Sequence, residues 1–397
     1  MQENMEKSKK VFLIFTAAFL GCVLLVGIVL GTISIVRNSL AVMKYKGVYL
    51  NEGVANYLTA SYKYDFMSAL NRSGIECYDT ESFWQRDAGE GKTYGEILKE
   101  NTEKYLRSVL VGSYLFDRNT RLNKNDKATI EKSISEVVEY KAYGDVDRFN
   151  ELAEPMGFDY RDFVKAAKLL YKAEMAESVI FGFDGSALAS GGFTSECEEY
   201  FQSSYSKVRL MIIRTDGELV TDSETGRQEL LPYTDAERDA VLSKIETIRE
   251  RIASGQMNED AFIWHIENEY PTGTVNDQTG YYFSAISAYS QNFAKEGAPE
   301  VVKKAMSMKV GEYGECEVDV GVCFIYKCEL DPGAYSGYTV SHFFEDFYAN
   351  AAPYIYNKSV EIYISDVKVK DKYNAENVIT QPCRTQEDGM DLQINFG

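Results

Sequence analysis

The sequence predicts an α+β protein, and three observations lead to this fold class. Residues 11–36 are apolar and carry no charge. Residues 38–204 contain segments whose apolar side chains recur every three or four positions, which is the spacing of amphipathic helices. Residues 205–331 combine short β-type apolar runs with helical segments. We therefore predict an N-terminal transmembrane helix, a helical domain, an α+β domain and a short C-terminal extension with a helix and a strand.

The apolar segment Val11–Val36 is long enough to cross a bilayer, which takes about 20 residues of α-helix. Three lysines precede this segment, whereas Arg37 alone follows it closely. The positive-inside rule therefore predicts that 1–37 form a cytoplasmic stub and a single-pass anchor, with the body of the protein outside the cell. A cleaved signal peptide would have a shorter apolar core. Lipidation of Cys22 stays open as an alternative, and it would also tether the body outside.

The composition indicates a folded, acidic body. Hydrophobic residues make up 45% of the chain and charged residues 26%, which is enough apolar material to bury a core. The net charge of -19 argues against nucleic acid as a partner, because phosphate-binding surfaces are basic. Two histidines and seven scattered cysteines without a C-x-x-C pair argue against a zinc site. No cofactor or metal is therefore expected, and the thiols are expected to be free and mostly buried.

Residues 38–204 carry the signals of a helical domain. Val42–Leu50 predicts a short strand, and Asn51 is placed to cap a helix that follows it. Thr93–Glu96 has the pattern of a capping box and begins a long helix with one apolar stripe. Residues 71–92 predict a loop. Further helices are predicted over 147–156, 159–179 and 194–203, and from about Asp126 with Ile130, Ile134, Val137 and Val138 on one face.

Residues 205–331 have the pattern of a compact α+β domain. Lys207–Arg214 is a β-type apolar run, and Thr234–Glu237 is a second capping box. A polar, turn-rich stretch separates the two. After the capping box, the predicted order is a long helix, a second helix, a short strand, a third helix and a β-hairpin around Gly321. The predicted elements of the C-terminal extension, 332–397, are a helix over 341–354 and a strand over 360–369.

A series of motifs in residues 205–330 resembles the parvulin-type peptidyl-prolyl isomerases, in the order that the family has them. They are KVRLMII from Lys207, ASG from Ala253, EY from Glu269, GYY from Gly280, PEV from Pro299, KVGE from Lys309 and GVCFI from Gly321. The helical segment, placed between a membrane anchor and such a domain, resembles the chaperone portion of the SurA/PrsA foldases in its arrangement. The resemblance covers most of the chain after the anchor, and it implies a helical chaperone domain followed by a parvulin-like domain.

The resemblance also implies where an isomerase site would lie. In the family, two histidines, an acid or cysteine, and an apolar cup surround the twisting proline amide. The first histidine corresponds to Met211, the second to Cys323, and the acid or thiol position falls near Gly273; the cup falls on Thr279, Gly297 and Val301. None of these positions has the family's usual residue. Because methionine and cysteine are weak hydrogen-bonding groups, we expect weak or absent isomerase activity.

The same strands are expected to offer a shallow groove for an extended polypeptide. The predicted substrate-binding residues are Met211, Thr279, Tyr281, Tyr282, Phe283, Val301 and Cys323. The alternative left open is that several of these side chains fill the core, as the apolar positions of a sheet usually do. His265 and His342 lie outside the family's pattern and are expected to be structural or solvated.

Three functions stay open on the sequence alone. The preferred one is a membrane-anchored extracytoplasmic folding factor that binds unfolded or partly folded secreted polypeptides. The others are an active prolyl isomerase with an altered site and a non-catalytic adaptor of the cell envelope. The sequence contains no phosphate-binding loop and no H-E-x-x-H motif, which argues against nucleotide and zinc-protease chemistry. Homodimer formation is left open.

Overall fold

The computed structural model describes residues 40–190, 192–221, 226–271, 279–284, 298–336, 341–385 and 391–396. This part of the chain is mixed α+β, as predicted, and it forms two compact units. The first unit comprises the described residues of Met1–Phe183 and Tyr356–Gly397, and the second comprises those of Asp184–Ile355. The sequence placed the divisions at 204 and 331 instead. Much of the expected C-terminal extension thus belongs to the first unit.

The predicted membrane anchor, Val11–Val36, lies outside the described residues, and so does Cys22. Within the part of the chain that the structure describes, every helix is too short or too polar to cross a bilayer. The anchor and the alternative of lipidation therefore stay predictions.

The first unit consists of helices with two small antiparallel sheets. Up to residue 183 its elements are β1 (Ala41–Tyr45), β2 (Val48–Asn51), α1 (Glu52–Arg72), α2 (Glu81–Trp84), β3 (Asp87–Gly89), β4 (Lys92–Thr93), α3 (Tyr94–Asn119), α4 (Lys124–Ala142), α5 (Val146–Ala153), a 3-10 turn (Glu154–Met156) and α6 (Tyr160–Phe181). One hydrophobic cluster forms the core, and α3, α6 and α1 pack on one another around it.

The second unit is built around a four-stranded antiparallel sheet. Its elements are α7 (Ser186–Ala189), α8 (Thr194–Ser204), β5 (Tyr205–Arg214), β6 (Gly217–Thr221), β7 (Gln228–Pro232), α9 (Asp235–Ala253), α10 (Glu259–Asn268), β8 (Tyr281–Ser284), α11 (Ala298–Ser307), β9 (Tyr313–Val318), β10 (Gly321–Cys328), a 3-10 turn (Ala334–Ser336), α12 (Ser341–Phe344) and the start of α13 (Phe347–Ile364). The strand order in the sheet is β8-β5-β10-β9. Residues of α11 pack on one face, and residues of α9 and α10 pack on the other.

The chain then returns to the first unit through the end of α13, followed by β11 (Lys368–Val369) and α14 (Asn377–Thr380). Strand β11 pairs with β1, and the three-stranded sheet has the order β11-β1-β2. Lys63 of α1 fixes α14 and the residue that follows it, because its buried Nζ donates to the carbonyl oxygens of Ile379 and Gln381, both at 2.8 Å. Its third partner is Asp79, at 2.6 Å. This buried ammonium therefore has a partner for each of its three protons.

The helix starts follow the signals read from the sequence. Asn51 accepts a hydrogen bond from the Val54 N–H at 3.3 Å and begins α1. The predicted capping boxes begin α3 at Thr93 and α9 at Thr234. The helix expected from about Asp126 begins two residues earlier, at Lys124, because Asn123 is its N-cap.

Several segments differ from the sequence-based expectation. The single strand predicted over Val42–Leu50 is the hairpin of β1 and β2, and the loop predicted over 71–92 contains α2 and β3. The polar stretch between β5 and α9 contains a hairpin, in which β6 pairs with β7. The strand predicted over 360–369 is wrong for most of its length, since α13 continues to Ile364 and only Lys368–Val369 is extended. Val360 is buried in the core of the first unit from within that helix, so tertiary packing overrides the β-propensity of this run.

Candidate functional site

Met211 and Cys323, the positions that correspond to the family's histidines, lie on neighbouring strands of the four-stranded sheet. In the register of β5 with β10, Met211 is opposite Phe324 and Cys323 is opposite Ile212. Residues directly opposite one another share a face, and successive residues alternate between faces. Met211 and Cys323 therefore lie on opposite faces, and the structure does not bring them together.

Both side chains are fully buried, each in a different hydrophobic cluster. Met211 packs with residues of α9 and α10, among them Ile248 and Phe262. Cys323 packs with residues of α11 and with Leu210 of β5. The predicted groove lined by both Met211 and Cys323 is therefore not formed, because their side chains lie on opposite faces of the sheet. The β5 residues nearest to Cys323 on its face are Leu210 and Ile212, which are also apolar.

The remaining predicted binding residues are divided between the core and the surface. Tyr281, Phe283 and Val301 lie in the cluster of Cys323, and each is less than a tenth exposed. Thr279 is exposed. Gly273 and Gly297 lie outside the described residues. As placed, these apolar side chains form a packed core, which is the alternative that the sequence left open.

Tyr282 points away from that cluster, and its ring packs against Phe344 with centroids 5.0 Å apart. Its hydroxyl donates to Asp331, which also accepts from Lys207 Nζ at 2.6 Å. Burial alone would raise the pKa of Asp331, but the hydrogen bonds from Lys207 and Tyr282 lower it below its ordinary value. Asp331, Lys207 and Tyr282 therefore hold the loop after β10 against β5 and β8, and we interpret their contacts as structural.

The sheet offers little to stabilise a twisted proline amide. The barrier to that rotation is about 18–20 kcal/mol, and lowering it takes hydrogen-bonding groups aimed at the amide. At the two carried-over positions the chain has a thioether and a thiol. Burial raises the pKa of the Cys316 thiol, directly opposite Cys323, and raises the pKa of Cys328 to about 11. These two thiols are therefore protonated at neutral pH.

A buried lysine, Lys327, is the polar feature of this sheet that sequence reasoning missed. Its Nζ donates to the Ala305 carbonyl at 3.0 Å and to Ser206 Oγ. Burial lowers the pKa of Lys327. A serine beside a lysine of lowered pKa can act as a nucleophile, but both residues are buried and closed to a substrate. We interpret the pair as a structural contact between strands β5 and β10 and helix α11.

His265 is buried and partnered on both ring nitrogens. Its Nε2 lies 2.7 Å from Arg251 Nη1, and its Nδ1 lies 2.7 Å from Glu269 Oε2. Because a guanidinium has only donors, Nε2 accepts and Nδ1 carries the proton. The ring therefore joins α9 to the end of α10, as expected of a structural histidine. His342 belongs to α12.

An open apolar cleft lies on the first unit, where α4 faces α6. Its volume is about 560 Å³, within the range of ligand pockets. Ile130, Ile134 and Val138 of α4 form a buried apolar floor, and Val146 at the start of α5 is half-exposed beside them. The other apolar lining residues are Leu122, Tyr160 and Val164. We call this surface the α4 cleft.

A second depression of about 790 Å³ adjoins the α4 cleft and shares Ser135 and Glu139 with it. Its other lining residues are Glu136, Tyr140 and Tyr143. The two tyrosines are 73% and 77% exposed, which is unusual for rings of this size. We call Glu136, Glu139, Tyr140 and Tyr143 the Tyr–Glu rim.

The turn that ends α4 shapes the Tyr–Glu rim. Tyr143 adopts the left-handed conformation with φ 55°, and Gly144 follows with φ 79°. A Cβ at Gly144 would lie 2.8 Å from Glu139 Oε2, so the glycine leaves room for that carboxylate. Lys141 Nζ lies 5.1 Å from the Tyr140 ring, and the Arg148 guanidinium lies 5.3 Å from the Tyr143 ring. Cations of this chain thus orient both rings.

The sequence predicted that Ile130, Ile134 and Val138 share one face of a helix, and the structure buries this face in the core of the first unit. The signal that could have identified the Tyr–Glu rim was the pair Tyr140 and Tyr143, which directly follow the apolar stripe. The openness of the cleft depends on how α4 meets α6, which no local pattern specifies.

No family model and no curated protein matches the chain. Among solved structures, PrsA from Bacillus subtilis is 17% identical with a TM-score of 0.20, and the match covers 75% of this chain and 94% of that one. The peptidylprolyl isomerase PrsA from Bacillus anthracis is 13% identical with a TM-score of 0.23, covering 66% and 98%. The foldase protein PrsA from Lactococcus lactis is 11% identical with a TM-score of 0.20, covering 86% and 98%. TM-scores this low do not establish a shared fold or function.

Proposed function

We propose that this protein is a membrane-anchored, extracytoplasmic folding factor that binds non-native exported polypeptides. The observation that carries the proposal is the α4 cleft, an open apolar surface on the first unit. A folded protein hides such surface unless something binds there, because exposed apolar area favours association. The anchoring part of the proposal rests on the uncharged segment Val11–Val36.

The chemistry of the α4 cleft suits an unfolded chain. Its buried floor of Ile130, Ile134 and Val138 accepts aliphatic or aromatic side chains without directional requirements. The exposed rings of Tyr140 and Tyr143 add contact area at a low cost in side-chain entropy. Such a surface binds many sequences weakly, which is what a factor for diverse clients requires.

We propose further that the second unit does not catalyse prolyl isomerisation. Met211 and Cys323 are buried, apolar and on opposite faces of the sheet, which supports this part of the proposal. The parvulin-like motifs of the sequence then mark a domain that has kept its element order without the catalytic groups. An isomerase with an altered site and an envelope adaptor are the competing outcomes of the test.

The test combines two assays on the same purified protein. In the first, aggregation of a chemically denatured, unrelated protein is followed by light scattering. In the second, a refolding reaction limited by X-Pro isomerisation is timed, because the uncatalysed step takes about tens to hundreds of seconds. We expect suppressed aggregation without faster refolding. Acceleration of refolding would contradict the second part of the proposal and favour the altered isomerase.

The matched variants are Val146→Glu, in the α4 cleft, and Val179→Glu, on α6 outside it. The two valines are 39% and 36% exposed, so the substitutions perturb folding to a similar extent. We expect Val146→Glu to weaken client binding at least about fivefold, since a carboxylate in an apolar site loses hydration. Val179→Glu should behave as the wild type. Equal activity of both variants would show that clients do not bind in the α4 cleft. If the wild type neither suppressed aggregation nor accelerated refolding, and crosslinking recovered one folded partner, the envelope adaptor would be favoured.

A further inference from the structure

We infer that the α4 cleft selects segments in which a run of apolar side chains ends in lysine or arginine. This inference rests on the proposed function and deepens it, because it names the chemistry of the polypeptide that binds. The occupant is an extended chain whose apolar centre lies on the cleft floor. Its cationic end lies at the Tyr–Glu rim.

The Tyr–Glu rim has the composition that recognises an organic cation. Glu136 and Glu139 supply negative charge, and the exposed rings of Tyr140 and Tyr143 offer faces that attract ammonium or guanidinium groups. The positions of Lys141 and Arg148 over these rings show that they accept cations in this setting. Lys132 Nζ lies 3.6 Å from Glu136 Oε1 in an exposed pair, which contributes little free energy. A client's basic side chain therefore competes with Lys132, Lys141 and Arg148 for the carboxylates and the ring faces of the rim.

The end of α4 adds a further negative contribution. The Tyr–Glu rim lies on the last turns of α4, where the helix dipole places partial negative charge on the terminal carbonyl groups. The chain as a whole carries a net charge of -19, which attracts basic segments over a longer range. Both effects favour the same kind of occupant.

The two ends of the α4 cleft differ in charge. Lys127, Glu131 and Lys168 line the cleft away from the Tyr–Glu rim, so two cations and one carboxylate lie at that end. Lys127 and Glu139 are separated along α4 by about 18 Å at 1.5 Å per residue. An extended segment covers that distance with about five or six residues. We therefore expect one preferred direction of binding, with the basic residue at the rim.

The experiment measures peptide affinity with the full-length protein in phosphatidylcholine nanodiscs, and empty nanodiscs serve as the blank. Fluorescein-labelled peptides share a Leu-Phe-Val-Leu centre and carry lysines, glutamines or glutamates at one end. The variants are Glu136→Gln/Glu139→Gln in the Tyr–Glu rim and, as a matched control, Glu76→Gln/Glu90→Gln. Glu76 and Glu90 are exposed carboxylates of the same unit that do not line the cleft.

We expect the lysine peptide to bind the wild type about tenfold more tightly than the glutamate peptide at low salt, with a smaller ratio at high salt. Glu136→Gln/Glu139→Gln should reduce that ratio to about threefold or less, whereas the control should preserve it. Equal affinities for the lysine and glutamate peptides, or an unchanged ratio in the rim variant, would overturn the inference while leaving the proposed function intact. Loss of binding to all three peptides in the wild type would overturn both.

Discussion

Met211 of β5 and Cys323 of β10 face opposite sides of the same sheet, because Met211 is opposite Phe324 and Cys323 is opposite Ile212. A shift of one position along either strand would place both on one face. Even then the neighbours Leu210 and Ile212 would bring no hydrogen-bonding group to the site. Under the proposed function, the sheet of the second unit is a scaffold and clients bind to the first unit.

The burial of Met211 predicts a large effect on stability. Met211→Ala should lower the free energy of unfolding of the second unit by about 2–5 kcal/mol, because it leaves a cavity between the sheet and α9 and α10. Met306→Ala, the same change at a half-buried position on α11, is the control and should cost about 1 kcal/mol or less. Urea denaturation followed by circular dichroism compares the two. Equal losses would mean that Met211 is not packed in the core.

The burial of Lys327 predicts that the free energy of unfolding depends on pH in a defined direction. Its folded-state pKa is lowered by burial, so the unfolded chain binds more protons between that lowered value and the ordinary lysine pKa. Stability from this residue is therefore present at high pH and is lost as the pH falls through the folded-state pKa. Lys327→Met removes this dependence.

The difference in unfolding free energy between the wild type and Lys327→Met should change in favour of the wild type as the pH rises toward the ordinary lysine pKa of about 10.4. Tyrosine titration affects both proteins and cancels in the difference. Lys303→Met, at an exposed position of α11, is the matched control. A constant difference for Lys327→Met would show that Lys327 titrates normally in the folded state.

The buried contacts of Lys63 predict that it holds the C-terminal segment on α1. Lys63→Met leaves Asp79 and the carbonyls of Ile379 and Gln381 without their partner, which should cost about 3–5 kcal/mol. Lys104→Met removes an exposed pair with Glu361 and should cost about 1 kcal/mol or less. Hydrogen exchange should accelerate at residues 377–383 in the first variant alone. Unchanged exchange there would refute this role.

The close approach of Glu139 to Gly144 predicts that a side chain at position 144 weakens cation binding at the rim. Gly144→Ala should weaken binding of the lysine peptide about threefold or more, because its Cβ would displace the Glu139 carboxylate. Gly74→Ala is the control, since Gly74 has the same φ of 79° and nothing within 4 Å of a Cβ. Both substitutions should cost about 1 kcal/mol of stability from backbone strain. Equal peptide affinities for the two variants would show that Glu139 does not contribute to binding of the lysine peptide.

Local signals in the sequence predicted much of the fold. Side-chain caps at Asn51, Thr93 and Thr234 identify helix starts because each satisfies a backbone N–H within three residues of itself. The strand and helix order around β5 and β10 was likewise visible in the alternation of apolar residues. These features depend on near neighbours in the chain, so the sequence specifies them directly.

The site was less predictable, because it depends on contacts between distant residues. The register of β10 with β5 decides which face Cys323 occupies, and a shift of one residue reverses the answer. The burial of Lys327 depends on Ser206 and on Ala305, which lie far from it in sequence. The α4 cleft lies between α4 and α6 above buried residues of the apolar stripe of α4, and its shape depends on how the two helices pack, which the stripe alone does not specify.

Site-specific photocrosslinking tests the central claim most directly. A benzophenone amino acid replaces Tyr140 in the Tyr–Glu rim or, as a control, Tyr78, which is 61% exposed on the same unit away from the cleft. The full-length protein is then illuminated with a denatured client protein. The account predicts strong crosslinks from position 140 that a lysine-ended apolar peptide competes away, and weak ones from position 78. Equal crosslinking from both positions, or none from position 140, would contradict it.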